Sequence, residues 1–283
     1  MLPPDRRRGP QKTATASRME GRSMTEVATL QERYAEVTGR IADAAQRSGR
    51  RPQDVILVAV TKYAEPDQIK TLVEMGHRHL GESQAQQLEQ RAAIIDEYAQ
   101  RLRLLERTRR SNIAEIDPSL LPAETDDPVR WHMIGHLQRN KAKKIAPLVR
   151  LVHSVDSLRL AEELQQIGLK KDIDIEVLVQ VDCSGEETKH GCPLPAAFPL
   201  AEQIETMAHV HVRGLMTMAP HTDNPEDARP VFARCRELFD EIKTTGIGEG
   251  KFNLLSMGMT ADYEIGIEEG ANIVRVGSAL FSS

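Results

Sequence analysis

Lys62 follows a short apolar run, "VILVAV" (residues 55–60), in the stretch "VTKYAEP". A lysine placed after a buried strand can lay its stem on apolar surface, and desolvation then favours the neutral amine that attacks an aldehyde to form a Schiff base. Read alone, the same residue is a surface lysine whose stem snorkels. Two further runs, "FNLLSM" and "NIVRVG", end in small and hydroxyl residues: Ser256, Gly258 and Thr260 at the end of the first, Gly277 and Ser278 at the end of the second. Small residues let backbone N–H groups approach an anion and hydroxyls add donors, so a phosphate fits between these two strand ends. Arg275, within the last run, offers a planar donor fork to the same ligand or to a structural ion pair. An amine facing a phosphate cup implies a phosphorylated aldehyde.

Such groups need a scaffold that gathers strand ends. Eight short apolar runs recur, namely "VILVAV", "HRHLG", "WHMIG", "LVHSV", "IEVLVQV", "VHVRGLMTM", "FNLLSM" and "NIVRVG", each followed by a helical pattern or a helix start. Continuous hydrophobicity implies strands covered on both faces, and interleaving with helices implies parallel order. The predicted fold is α/β, a single (β/α)8 TIM barrel whose active site forms at the C-terminal ends of the strands. The alternative is an open doubly wound sheet, weakened in its dinucleotide-binding form because no Gly-x-Gly-x-x-Gly follows a strand.

Before the first strand, Val27, Leu30, Tyr34, Val37, Ile41 and Ala45 recur at helical spacing and predict an extra N-terminal helix over residues 25–47. Residues 1–23 are rich in Pro, Arg and Gly, with too little apolar content to pack, and read as a disordered tail. The barrel domain is then 24–283, with an insertion around 99–127 that is first a basic helical pattern and then an acidic, proline-containing linker. A segment that joins a helix to the next strand lies on the face opposite the site.

The blocks "LVAVTKY", "GES", "WHMIGHLQRNK", "VHSVDS", "KHG", "GLMTM", "LSMGMTAD" and "VRVGSALF" together resemble the pyridoxal phosphate homeostasis protein family, in order and from about Thr25 to Phe281. That family is similar to the barrel half of alanine racemase. The resemblance implies pyridoxal 5'-phosphate (PLP) as cofactor, held as a Schiff base on Lys62. It places Ser256, Met257, Gly258, Gly277 and Ser278 around the cofactor and its phosphate, and Arg275 at the pyridine nitrogen. It implies a role in vitamin B6 homeostasis without robust catalysis, with PLP-dependent apoenzymes as recipients and a monomeric state. The alternative is a PLP-dependent amino-acid racemase. Such racemases use an opposing tyrosine from a second domain, and of the four tyrosines only Tyr63 and Tyr263 stand near strand ends. The family's usual Gly-Glu-Asn is Gly81-Glu82-Ser83 here, a hydroxyl in place of an amide.

Composition sets the remaining bounds. With 28% charged residues and a net charge of -5, general nucleic-acid binding is disfavoured. No apolar stretch approaches the roughly 18 residues of a membrane span, and the N-terminus lacks a secretory h-region. Cys183, Cys192 and Cys235 form no Cys-x-x-Cys pair and read as free thiols in a reducing, cytoplasmic compartment. His132 and His136 bracket a strand and its turn, which is poor zinc spacing. His209 and His211 share a strand face with no carboxylate evident beside them, "QRNKAKK" reads as a solvated helix start, and Lys189 as a loop lysine at the active-site end.

Overall fold

The computed structural model describes residues 17–112, 127–185 and 191–282. Its strands are β1 (Ile56–Val60), β2 (His79–Glu82), β3 (Arg130–Met133), β4 (Val149–Val155), β5 (Ile175–Asp182), β6 (Cys192–Pro193), β7 (Val210–Met216), β8 (Leu254–Ser256) and β9 (Ile273–Val276). Neighbours run β4-β3-β2-β1-β9-β8-β7-β5, and β4 pairs with β5 to close the circle. All pairings are parallel. The result is the closed eight-stranded α/β barrel that the alternation of runs and helices predicts. β6 is a two-residue addition that pairs with the end of β5.

The helices are α1 (Ser17–Arg47), α2 (Pro66–Glu74), α3 (Ala85–Asn112), α4 (Arg139–Ile145), α5 (Leu158–Lys171), α6 (Leu194–Glu205), α7 (Arg229–Thr244), α8 (Tyr263–Glu268) and α9 (Ser278–Phe281). α1 starts earlier than its apolar spacing predicts; no proline interrupts residues 17–24, and one glycine costs a helix only about 1 kcal/mol. Of the 1–23 segment, residues 1–16 lie outside the described residues. The first part of the insertion continues α3, while residues 113–126, and Lys189, also lie outside them.

Two cores result. A large one fills the space between strands and helices, with Leu30, Val37, Ile41, Ala44 and Ala45 bringing α1 into it. A small one, Val58, Leu151, Leu178, Met216 and Ile273, forms a layer inside the barrel. α1 is tied to the last elements by polar contacts: Arg33 Nε donates to the Leu280 carbonyl at 2.9 Å, Arg40 and Arg47 pair with Glu264, and Arg47 also reaches Glu268 at 2.9 Å. Among the described residues no helix is long and apolar enough to cross a membrane.

Candidate functional site

β1 ends at Val60, and the next three residues, Thr61–Tyr63, make a single 3-10 turn before Pro66 opens α2. A buried ion pair holds this turn from behind. Glu82, fully buried at the end of β2, meets Arg91 of α3 at 2.5 Å and accepts from Thr61 Oγ1 at 3.0 Å and from the Ser83 N–H at 2.7 Å. Arg91 also donates to the carbonyls of Thr61 and, at 3.2 Å, Ala64. The backbone on both sides of Lys62 is therefore pinned, while Lys62 itself points outward.

Lys62 is exposed rather than sunk into apolar surface, which corrects the expectation of a buried stem: Thr61 takes the inward position and Lys62 the next one. Its Nζ lies 4.8 Å from the centre of the Tyr63 ring, and Tyr63 is 66% exposed.

Arg275 is the opposite case. It sits at the end of β9, 3% exposed, with Nη1 donating to Ser256 Oγ at 2.6 Å and Nη2 to the Thr217 carbonyl at 2.9 Å. Burial pulls its guanidinium down to about 10, with Asp262 opposing the shift, so it remains a cation at neutral pH. Burial in turn raises the Asp262 carboxyl, an effect that its bond from the Met259 N–H and the charge of Arg275 oppose.

The residues after β8 are arranged differently from the sequence expectation. Ser256 is buried against Arg275 and does not line the cavity. Met257 is buried in the outer core and its N–H is spent on the Ile273 carbonyl at 3.1 Å. Gly258, at φ +91°, turns the chain where a Cβ would fall 2.6 Å from Tyr263 Cα, and its carbonyl accepts from the Arg275 N–H at 3.1 Å. These three residues frame Arg275, and the following loop, Met259, Thr260 and Ala261, reaches the cavity. β8 is only three residues long, so the chain turns earlier than the run "FNLLSM" suggests.

The cavity, of about 470 Å³, opens at the C-terminal ends of the strands. Lys62, Arg275, Gly277 and Ser278 all line it. Gly277 is packed against β1, where a Cβ would stand 3.2 Å from both Cβ and the carbonyl oxygen of Val60. Its N–H donates to Thr260 Oγ1 at 3.3 Å, a long bond that an anion could replace. α9 is a single turn, so the helix field expected there is small, and backbone N–H groups and hydroxyls supply the donors.

Sequence reasoning missed Gln180, Met218 and His221, and weighed Ser83 only as a departure from the family pattern and His136 only as a metal ligand; all five line the cavity. Each stands just beyond or at the end of an apolar run, and that position was the available signal. His136 also meets Asp156, Nδ1 to Oδ2 at 3.6 Å. His132 is buried inside the barrel, so it and His136 serve different places. His209 and His211 do have a carboxylate beside them, Asp174 from the turn before β5, at 3.2 and 3.5 Å; among the described residues no cluster could hold a metal ion. Lys144, of "QRNKAKK", pairs with Glu89 at 3.1 Å, while Ala142 and Ile145 face the core. Tyr263 is buried beneath Arg40, away from the cavity.

The model of the alanine racemase N-terminal domain matches residues 69–283. The pyridoxal phosphate homeostasis protein of Aquifex aeolicus is 35% identical over 254 residues, 88% of this chain and 96% of that one. The chain belongs to this family. The homologue from Pseudomonas aeruginosa, of the same name, is 32% identical over 91% of this chain and 96% of its own. Among solved structures, PipY of Synechococcus elongatus with PLP bound superposes with a TM-score of 0.65 at 27% identity, covering 86% of this chain and all of that one. An unknown protein from Bifidobacterium adolescentis reaches 0.77 at 32% identity, covering 91% of this chain and 96% of that one.

The residues present fit the family's cofactor. One wall offers an amine, another a buried guanidinium held by two bonds, and a third the backbone of Gly277 and Ser278, where an added Cβ at Gly277 would crowd Val60.

Proposed function

We propose that this chain holds pyridoxal 5'-phosphate covalently through Lys62 and acts as a carrier in vitamin B6 homeostasis. The observation that carries the reading is the convergence of Lys62, Arg275, Gly277 and Ser278 on one cavity at the strand ends. The names of the relatives and the PLP-bound PipY structure support it. When bound, the cofactor supplies an aldehyde and an electron-withdrawing ring. Lys62 supplies the amine, at a mouth that competing amines reach. Arg275 presents a fixed cation to the pyridine nitrogen and keeps its own proton, which makes the ring a poorer electron sink than one facing a carboxylate. Gly277 and Ser278 bind the phosphate through N–H and hydroxyl donors. Ser256 and Gly258 act by holding Arg275, and Met257 by packing.

On this reading the protein works as a monomer in the cytoplasm, hands PLP to apoenzymes and has no robust catalysis of its own. One observation favours the racemase alternative: His136, beside Asp156, lines the same cavity as the lysine and adds a second acid–base group to it. Chiral chromatography of alanine and serine incubated with the PLP-loaded protein separates the two. Racemisation no faster than with free PLP supports the carrier; turnover abolished by both Lys62→Ala and His136→Ala establishes the racemase.

A further inference from the structure

Three histidines, each from a different strand, form a continuous hydrogen-bonded column inside the barrel. His79 Nδ1 lies 2.9 Å from His132 Nε2, His132 Nδ1 lies 2.9 Å from His153 Nε2, and His153 Nδ1 lies 3.0 Å from Ser256 Oγ. Ser256 Oγ is the atom that accepts from Arg275 Nη1. His132 and His153 are fully buried, and burial holds both well below their ordinary value, so they are neutral. His79, half-buried at the far end, is brought down to about 4 by burial and by Arg130, with His77 and Arg150 acting the same way and Asp127 against.

The direction of the bonds follows from chemistry. A guanidinium only donates, so Ser256 accepts from Arg275. Among the described residues the other partner of its hydroxyl is His153, and a buried hydroxyl proton left without an acceptor would cost about 1–3 kcal/mol. Ser256 therefore donates to His153 Nδ1. A neutral imidazole has one donor and one acceptor, so His153 donates through Nε2 to His132, and His132 through Nε2 to His79. Every bond runs the same way, from Arg275 toward the opposite end of the barrel.

We propose that this column, acting through Ser256, is the positioning element for Arg275: it fixes where the guanidinium lies and which of its N–H groups remain for the ligand. The proposal rests on the PLP-binding reading for its ligand, but the direction of the column does not.

The experiment has two arms. In the apo protein with ¹⁵N-labelled histidine, NMR at pH 7 should show His79, His132 and His153 all as Nε2–H tautomers; an Nδ1–H tautomer at any of the three overturns the column. In the second arm, PLP is titrated into His153→Leu and His153→Asn, each checked for native circular dichroism. His153→Leu should weaken binding about tenfold and shift the absorbance of the bound chromophore, with the adduct still on Lys62, while the Asn amide, which accepts the Ser256 proton, restores both to within about threefold. Wild-type binding and spectrum in the Leu variant overturn the positioning role. If that variant does not fold, Ser256→Ala replaces it, with the same tenfold loss expected and the same overturning result. Failure of the wild type to take up PLP sinks the carrier reading instead and leaves the tautomer arm standing.

Discussion

Lys62 and Arg275 face one cavity, yet the two ends of the site are built in opposite ways. Lys62 is exposed on a one-turn 3-10 segment, held through its neighbours Thr61 and Ala64, which Arg91 and Glu82 clamp. Arg275 is buried and anchored by Ser256 and by the Thr217 carbonyl, with the histidine column behind it. On the proposed carrier reading, the difference assigns recognition to the anchored end and exchange to the exposed one. A group held rigid before the ligand arrives loses little entropy on binding, whereas a free amine at the mouth can be displaced by another amine. A carrier needs both.

The largest expected effect breaks the rigid end with acid. His132 and His153 are held below their unfolded value of 6.5, so the unfolded chain takes up protons first as pH falls. Their contribution is fully present above 6.5 and is lost below it. Between pH 7 and 5 each should cost about 2 kcal/mol, about 4 kcal/mol together. Urea denaturation across this range checks it, and a flat profile would mean that the column is already charged or hydrated.

Removing the anchored cation comes next. Arg275→Leu leaves Ser256 and the Thr217 carbonyl without their donor and Asp262 without its nearby charge, and should cost about 3 kcal/mol in chemical denaturation. Lys62→Ala, at the exposed end, should stay within about 0.5 kcal/mol of wild type. Gly277→Val should weaken PLP about tenfold while sparing unphosphorylated pyridoxal, because the new side chain meets Val60 beside the donor N–H; equal losses by titration would remove the phosphate from this corner. The smallest effect belongs to the connection between α3 and β3. Deleting residues 100–126 and joining the flanks with a short flexible linker should leave PLP uptake unchanged by absorbance titration.

Much of this was legible in the sequence. Eight apolar runs predict the barrel because burial on both faces writes itself as continuous hydrophobicity, and Lys62, Arg275, Gly277 and Ser278 can be placed on one cavity because position at a strand end is a local property. What escaped depends on closure. Ser256, near the end of an apolar run, has the sequence signature of a ligand contact, but the direction of a side chain at a strand end is set by the register of its neighbours. The histidine column was hidden for a related reason. In sequence His132 pairs naturally with His136, four residues on, whereas its partners are His79 and His153 on adjacent strands. The signal was there in "HRHLG", "WHMIG" and "LVHSV", consecutive strands each carrying a histidine.

The central claim is that Lys62 is the covalent end of the site. Incubation of the purified protein with PLP, reduction with borohydride and peptide mapping by mass spectrometry tests it most directly. The account predicts one dominant phosphopyridoxyl adduct on Lys62, absent from a folded Lys62→Ala variant. A dominant adduct on any other lysine, or an undiminished adduct in Lys62→Ala, would contradict it.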